Sequence, residues 1–237
     1  MEKLICGAKR LGLYLSPKQL SQFETYYQEL ISWNQKMNLT AIVDYEEVQL
    51  KHFLDSLTVV LALEGKHCPL RLFDLGTGAG LPGIPLKIVS PGIHLALLES
   101  VAKKTRFLSH LVARLGLADV GVLTGRAEDL GRQESYREQF ELVVSRGVAP
   151  LPTLVELALP FCALGGTFVA QKKGELEGEI AEATGAIDVL GGRLRGVRKV
   201  ELEELGERAL VIIDKVSVTP QRYPRRAGVP SKRPLRI

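Results

Sequence analysis

The sequence predicts an α/β fold in which a helical segment precedes a doubly wound, mostly parallel sheet of seven strands. Three observations predict it. Residues 1–65 carry apolar side chains at helical spacing, whereas from Leu70 onward short apolar β-type runs alternate with amphipathic helical stretches. Such alternation is typical of parallel sheets with right-handed crossovers. In the stretch Leu70–Gly83 (LRLFDLGTGAGLPG), a strand breaks into a glycine-rich turn, which predicts a ligand site at the carboxyl ends of the strands.

The N-terminal segment is predicted to contain two main helices. Ser16-Pro17-Lys18-Gln19 has the capping-box pattern with proline at the first helical position. A second helix start lies at Asp44, before an apolar stretch that ends near Gly65. The polar stretch Trp33–Ile42 (WNQKMNLTAI) between them favours a connection, which we interpret as a candidate ligand-facing loop.

The elements of the sheet follow from the same patterns. The β-type runs predict strands over Leu70–Leu75, Leu95–Glu99, Val120–Thr124, Leu142–Ser145, Thr167–Gln171, Arg195–Leu202 and Ala209–Ile213. Helical spacing predicts helices over Val101–Leu115, Leu151–Ala163 and Glu175–Leu190, with a shorter one after Gly83. We therefore divide the chain into a helical subdomain (1–65), a sheet domain (66–216) and a C-terminal arm (217–237).

Composition excludes several classes of protein. The chain has 237 residues, 46% hydrophobic and 24% charged, which are the proportions of a globular domain and not of a disordered chain. The apolar runs are too short to span a bilayer, and Met1–Gly12 lacks the features of a signal peptide, so we expect a cytoplasmic protein. Cys6, Cys68 and Cys162 form no C-x-x-C pair and the four histidines lack ligand-like spacing, so no metal is expected.

Positive charge is concentrated at the C-terminus. The net charge is +4, but Lys215–Ile237 holds seven Lys and Arg residues and no acid, so the rest of the chain is net negative. Four prolines in this segment exclude a continuous helix and favour an extended arm. Contact with RNA and a solvated, disordered terminus are both consistent with this composition.

The glycine-rich turn predicts a cradle for a nucleotide-like ligand. Glycine permits positive φ and lets a ligand approach main-chain N–H groups; the glycines lie at Gly76, Gly78, Gly80 and Gly83. Asp74, at the carboxyl end of the strand, can accept a hydrogen bond from a cationic or hydroxylic group. The segment Gly78–Gly83 also matches G-x-G-x-x-G, which favours a dinucleotide, so the loop alone leaves the cofactor open.

The ends of the next strands narrow the choice of cofactor. Glu99, followed by Ser100, ends the second strand. In doubly wound folds, a carboxylate at this position, beside the glycine loop, accepts hydrogen bonds from ribose hydroxyls. The alternative is that Glu99 is an exposed glutamate at the end of a strand, without a ligand. Ala127 and Glu128 follow the third strand and can flank an adenine ring, although the start of an ordinary helix explains them equally well.

This order of motifs fits a class I methyltransferase that uses S-adenosylmethionine, with backbone amides near Thr77 cupping the amino-acid end of the cofactor. The runner-up is an NAD-dependent oxidoreductase. Against it, Pro82 and Pro85 interrupt the glycine-to-helix transition, and no hydride-transfer constellation follows.

Several strings, in order, resemble one family. They are NLTAI at Asn38–Ile42, HFLDSL at His52–Leu57, DLGTGAGLPGIPLKI at Asp74–Ile88, GRAED at Gly125–Asp129, SRGVAPL at Ser145–Leu151 and the YPRRAGVPSKRPL tail. From about Trp33 onward the chain resembles the bacterial ribosomal RNA small subunit methyltransferase G, or glucose-inhibited division protein B, family. The resemblance implies methylation of N7 of a guanine in 16S ribosomal RNA, with S-adenosylmethionine as cofactor and the RNA or the small subunit as partner. We expect the protein to be a monomer.

Site residues are predicted from two sources. The resemblance implies cofactor contacts at Gly76, Leu81, Ala127, Glu128 and Arg146. Reasoning from the residues and the fold adds Asp74, Thr77, Gly78, Gly80, Glu99 and Ser100. Candidates for RNA contact are Asn38, His52, Arg126, Lys172, Arg208, Arg222, Arg225 and Arg226. The chain departs from the family at Gly147, where alanine is usual.

Several of these residues could instead have purely structural roles. Arg146 can form a structural ion pair at the strand end, and Arg126 and Arg208 can form surface salt bridges. His52 and Asp55, three residues apart, can be a polar pair that packs the helices on the sheet. Lys103, Lys104 and Arg106 can line the cofactor rim or form a solvated helix face.

The chemistry requires few catalytic groups. Guanine N7 exposes an in-plane lone pair, so no proton must be removed before it attacks a methyl group, and no general base is expected. Arg146 then serves as an orienting hydrogen-bond donor. A noncatalytic RNA-binding or ribosome-assembly protein with a vestigial pocket remains an alternative function.

Overall fold

The computed structural model describes residues 1–63 and 71–235. The predicted helix end near Gly65, the strand start at Leu70, and Cys68 lie outside the described residues. Since the boundary at 65/66 also lies there, the division into three segments stays a prediction. No helix within the described ranges is long and apolar enough to cross a membrane.

Seven strands form one sheet in the order β3-β2-β1-β4-β5-β7-β6, which confirms the predicted doubly wound architecture. They are β1 (Arg71–Leu75), β2 (His94–Glu99), β3 (Val120–Thr124), β4 (Phe140–Arg146), β5 (Cys162–Lys172), β6 (Gly192–Lys199) and β7 (Ala209–Lys215). The strands β1 to β5 run parallel, and β7 pairs antiparallel with both β5 and β6. The chain order reverses between β1 and β4, where doubly wound sheets open a crevice at their carboxyl edge.

The helices after β1 cover the two faces of the sheet. They are α5 (Gly83–Val89), α6 (Ala102–Arg114), α7 (Ala127–Leu130), α8 (Leu151–Ala158), α9 (Glu177–Val189) and α10 (Val229–Lys232). Successive residues of β1 face opposite cores: Leu72 packs on one side and Phe73 on the other, stacked on Phe161 with ring centroids 4.1 Å apart. Helix α8 ends before the predicted Ala163 because Pro160 cannot continue it.

The N-terminal helices are α1 (Glu2–Arg10), α2 (Pro17–Met37), α3 (Tyr45–Val48) and α4 (Asp55–Leu57). The capping box at Ser16 is present in both directions, as predicted. The predicted connection over Trp33–Ile42 is too long, because α2 continues to Met37. Its last turns gain packing energy from Trp33, whose ring lies against Phe107 and His110 of α6.

Between α3 and α4, Gln49–Leu54 forms a π-helical turn that carries His52. Turns of this kind interrupt α-helices, frequently at functional sites. A 3-10 turn over Thr58–Leu63 then ends the helical segment within the described residues. The predicted apolar stretch after Asp44 is therefore helical, but irregular at its centre.

The C-terminal arm is not extended, which corrects the expectation from its prolines. Tyr223 and Leu235 are buried in the core that faces α8, and residues Val229–Lys232 form α10. Arg137 donates to main-chain carbonyl groups of Thr219, Pro220 and Tyr223. The prolines prevent a long helix here, but side chains of the sheet domain form hydrogen bonds with main-chain groups of the folded arm.

Candidate functional site

Asp74, at the carboxyl end of β1, supports the glycine loop of the candidate site. It is fully buried, and its Oδ2 accepts hydrogen bonds from the Thr77 hydroxyl at 2.6 Å and from the Gly83 N–H at 2.7 Å. Among the described residues, Oδ1 has no hydrogen-bond partner. Burial raises the pKa of Asp74 to about 6, although the two hydrogen bonds lower it. A buried acceptor without a partner fits a ligand that brings a cationic or hydroxylic donor.

The glycine loop lies directly above Asp74. Gly76, Gly78 and Gly80 all take positive φ, at 68°, 58° and 98°. A side chain at Gly80 would collide with Ile84, whereas the Cβ position of Gly78 faces open space. From α2, the buried Tyr26 hydroxyl donates to the Ala79 carbonyl at 2.6 Å, so the loop rests on the N-terminal helices.

Glu99 closes the loop on the side of β2. Its carboxylate accepts from the Gly78 N–H at 3.2 Å and from the Val101 N–H at 2.9 Å, and the residue is 6% exposed. The neighbouring Ser100 is exposed. Glu99 therefore presents a fixed carboxylate at the end of β2, the position at which doubly wound folds bind ribose hydroxyls.

A cleft lies between the glycine loop and the N-terminal helices. It is lined by Leu39, Thr40, His52, Gly76, Thr77, Gly78, Ala79, Leu81, Glu99, Lys104, Arg146 and Gly147. These residues come from the ends of β1, β2 and β4 and the loops that follow them, from the start of α6, from the loop after α2 and from the π-helical turn. The cleft thus brings together the loop, Glu99 and Arg146, which were predicted to contact the cofactor, and His52, which was predicted to contact RNA.

Asp55 lies between two guanidinium groups beside the cleft. Arg146 donates from Nη1 to Asp55 Oδ2 at 2.9 Å and to the Lys51 carbonyl at 3.0 Å. Arg208 donates from Nε to Asp55 Oδ1 at 3.1 Å, and Asp55 itself is 3% exposed. One carboxylate thus orients two guanidinium groups and leaves an excess of positive charge at the cleft wall. The ion pair foreseen for Arg146 exists, but its partner lies on the N-terminal helices.

His52 is held as a neutral acceptor. Burial and the charge of Arg146 lower its pKa to about 4. Its Nδ1 lies 3.1 Å from the Lys51 carbonyl oxygen, which only accepts, so Nδ1 carries the proton. Its Nε2 lies 2.7 Å from the Thr40 hydroxyl, which also accepts from the Ile42 N–H. We assign Thr40 as the donor to His52, and this pair fixes the NLTAI segment against the π-helical turn.

The other candidates for RNA contact fall into two groups. Asn38, Arg126, Arg222 and Arg226 are exposed. Three others are engaged by internal acceptors: Arg208 by Asp55, Lys172 by Glu179 and the Ala149 carbonyl, and Arg225 by Glu156. The partners of Arg208 and Arg225 lie 153 and 69 residues away in the sequence, so no local pattern reveals them, whereas Glu179 lies only seven residues after Lys172.

Ala127 and Glu128 lie in α7, which follows β3, and both are buried. The Glu128 carboxylate accepts from the Gly228 N–H at 2.8 Å, so it is directed toward the C-terminal arm. Gly147, where the family usually has alanine, takes φ of 66°, a conformation that favours glycine. The sequence analysis missed Tyr26 and Thr40 as supports of the site; the tyrosine carries no local signal, whereas Thr40 lies within the quoted NLTAI string.

The buried carboxyl of Asp74 makes stability depend on pH. Its pKa in the folded protein, about 6, is above the ordinary 3.8. Ionisation of Asp74 therefore lowers the free energy of unfolding as the pH rises from about 4 to about 6. The full cost is present above pH 6, and it vanishes below pH 4. Relative to Asp74→Asn, we expect the wild type to be less stable at pH 7 by about 3 kcal/mol and equally stable near pH 4. Urea unfolding of both proteins from pH 4 to pH 7 measures this, and parallel pH profiles would contradict it.

Together, the strand order, the glycine loop over Asp74 and the carboxylate that ends β2 define a class I methyltransferase. The chain belongs to the GidB family, described as rRNA small subunit methyltransferase G, whose profile matches residues 19–211. The chain is 51% identical to the ribosomal RNA small subunit methyltransferase G of Dehalococcoides mccartyi strain BAV1, over 99% of this chain and 100% of that protein. It is 48% identical to the protein of the same name from Roseiflexus castenholzii, over 99% and 100% of the two chains.

Solved structures share the fold at low sequence identity. An O-methyltransferase from Bacillus cereus in complex with S-adenosylhomocysteine superposes with a TM-score of 0.56 and 21% identity, covering 81% of this chain and 91% of that one. TrmN from Thermus thermophilus gives a TM-score of 0.53 at 17% identity, over 69% and 48% of the two chains. Because the chain belongs to the GidB family, it is an S-adenosylmethionine-dependent methyltransferase, as the order of motifs predicted, and not an example of the alternative dinucleotide-binding class.

Proposed function

We propose that the protein methylates N7 of a guanine in 16S ribosomal RNA. In this proposal it acts as a monomer in the cytoplasm, where ribosomal RNA is found. Membership of a family of small-subunit ribosomal RNA methyltransferases supports the substrate. The observation that carries the cofactor site is that Oδ1 of buried Asp74 has no hydrogen-bond partner in the described part of the chain and lies beneath a glycine loop with open space at the Cβ position of Gly78. An ammonium group of the cofactor can supply the missing donor.

The residues present fit S-adenosylmethionine along its length. Asp74 Oδ1 would accept from the ammonium group, and main-chain N–H groups near Thr77 would face the carboxylate. Glu99 would accept from the ribose hydroxyls, with Ser100 beside it, and residues Ala127 and Glu128 after β3 would form the adenine side. The cofactor supplies a methyl group on a positively charged sulfur.

The chain's own task is to align and orient the base. Guanine N7 attacks with an existing lone pair, so no side chain has to accept a proton before the reaction. Arg146 and Arg208 offer N–H groups held in place by Asp55, suited to guanine O6 or to a phosphate of the RNA. His52, neutral and bonded to Thr40, shapes the wall without donating a proton to the base. Alignment of this kind lowers barriers by about 7–11 kcal/mol.

A methylation assay tests the proposal. The protein is incubated with isotopically labelled S-adenosylmethionine and small subunits from a strain that lacks the modification, and nucleosides are then separated by mass spectrometry. We expect label in 7-methylguanosine from 16S ribosomal RNA. Label in another nucleoside would contradict the assignment to N7, and RNA binding without any label would favour the noncatalytic assembly protein.

The exposed cationic residues are proposed to contact RNA phosphates. Three of the candidate arginines are exposed: Arg126, Arg222 and Arg226. The ion pairs of Asp55 and Glu156 are made by other arginines, Arg208 and Arg225. Each phosphate contact contributes about −0.7 to the slope of log affinity against log salt for single strands. We expect Arg226→Ala to weaken RNA binding at low salt and to make the slope shallower by about 0.7.

Fluorescence anisotropy of a labelled RNA fragment across a salt series measures both quantities. Lys18→Ala is the matched control, because Lys18 is exposed at the start of α2, beside Gln19, whose amide bonds the carbonyl of Ile88 near the end of α5. That end of α5 leads into the amino end of β2. Lys18 therefore lies near the amino ends of the strands, whereas the cleft lies at their carboxyl ends. Equal slopes for Arg226→Ala and Lys18→Ala would show that Arg226 makes no phosphate contact.

A further inference from the structure

The C-terminal arm is anchored to the sheet domain by two carboxylates, of which Glu156 is buried and Glu138 is half-buried. Glu156, which is fully buried, accepts from Nε and Nη2 of Arg225 and also from the Arg225 main-chain N–H at 2.8 Å. Glu138 accepts from the Thr219 N–H at 2.7 Å. Charged bonds of this kind to main-chain N–H groups hold a segment in one place.

A further anchor joins the arm to α7. Glu128 accepts from the Gly228 N–H at 2.8 Å, and Gly131 lies so close to Pro224 that a Cβ at that glycine would be 3.2 Å from the proline ring. Ala127 and Leu130 belong to the same buried cluster as Tyr223 and Leu235 of the arm. Because α7 has only four residues, little of its position is set by its own helical hydrogen bonds.

Helix α7 begins next to the cofactor cleft. Gly125, just before it, donates its N–H to the Glu99 carbonyl at 3.1 Å, and the Glu99 carboxylate accepts from Gly78 in the glycine loop. The strands β1, β2 and β3 are neighbours in this order, so a ligand that extends from the loop past Glu99 next meets residues 125–128. Residues 125–128 are not part of the cleft lining described above, but they form the wall that such a ligand would meet, and the arm supports this wall from behind.

We infer that the C-terminal arm positions the adenine side of the cofactor site, and that Glu128 is a positioning residue that acts through the arm. The inference rests on the proposed function for the assignment of that wall to adenine. The Glu128 carboxylate is 5% exposed and bonded to Gly228, so its role is to hold α7 and the arm together. Docking of the arm and binding of the cofactor then stabilise each other by the same factor.

Hydrogen exchange tests this coupling in the unaltered chain. Saturating S-adenosylhomocysteine is expected to slow amide exchange in residues 76–81 and, by about fivefold or more, in residues 222–230 of the arm. Slowing in the loop with unchanged exchange in the arm would overturn the inference while leaving the proposed cofactor site intact. Absence of slowing at both places would contradict the proposed function itself.

Two substitutions separate positioning from direct contact. Glu128→Ala removes the acceptor and is expected to raise KM for S-adenosylmethionine by about fivefold or more, with kcat at saturation nearly unchanged. Glu128→Gln keeps an acceptor oxygen for Gly228 and is expected to restore KM to within about twofold of wild type. Glu134→Ala, at an exposed glutamate nearby, is the control. A KM for Glu128→Gln as high as that for Glu128→Ala would overturn the positioning role.

Discussion

Replacing Gly78 with valine is expected to abolish cofactor binding while the protein remains folded. Gly78 lines the cleft, and its Cβ position meets no atom within 4 Å, so an added side chain projects into the space that the ligand needs. The φ of 58° adds about 1–2 kcal/mol of backbone strain for a residue other than glycine. We expect affinity for S-adenosylhomocysteine to fall at least about a hundredfold, which corresponds to about 2.8 kcal/mol.

Isothermal titration calorimetry measures this loss, and a second glycine controls for the strain. Gly116, after α6, has φ of 61° and open space at its Cβ position, but it lies outside the cleft. Gly116→Val should therefore lose similar stability and keep wild-type affinity. Retention of binding by Gly78→Val, or an equal loss in both variants, would show that the loop does not approach the ligand.

The glycine loop and the sheet could be predicted because their causes are local. Short apolar runs mark the buried strands, and glycine takes the positive φ values of the loop without the strain of a side chain, so the string from Asp74 to Gly83 carries its own structure. Glu99 could be placed for a related reason: its position at the end of the second strand follows from the topology.

Other parts of the site depend on tertiary contacts that leave no local signal. Asp55 is separated by 91 residues from Arg146 and by 153 from Arg208, and each side chain alone is compatible with a surface salt bridge. Likewise, the prolines of the arm indicate an extended segment, but Arg137 supplies bonds to its carbonyls from far away in the sequence. The compact arm and its contact with Glu128 could not be predicted for this reason.

Removal of the Asp55 carboxylate is expected to impair both stability and methyl transfer. Asp55→Ala leaves the guanidinium groups of Arg146 and Arg208 without the anion between them, and breaking a buried pair in this way costs about 3–5 kcal/mol. We expect a value at the lower end, because the side chains of Arg146 and Arg208 are 20% and 13% exposed and can turn toward water. A misplaced Arg146 should lower kcat by about a hundredfold, since errors of about 1 Å in alignment have effects of that size.

The matched control lies eight residues earlier on the same helical segment, in α3. Glu47 pairs with Lys51 in an exposed ion pair, and Glu47→Ala should change stability by less than about 0.5 kcal/mol and leave kcat unaltered. Chemical denaturation and steady-state kinetics with the small subunit measure both variants, and Asp55→Asn, which keeps the volume but removes the charge, isolates the electrostatic part. If Asp55→Ala matched Glu47→Ala in stability and kcat, the carboxylate would not be what holds the two arginines for the RNA.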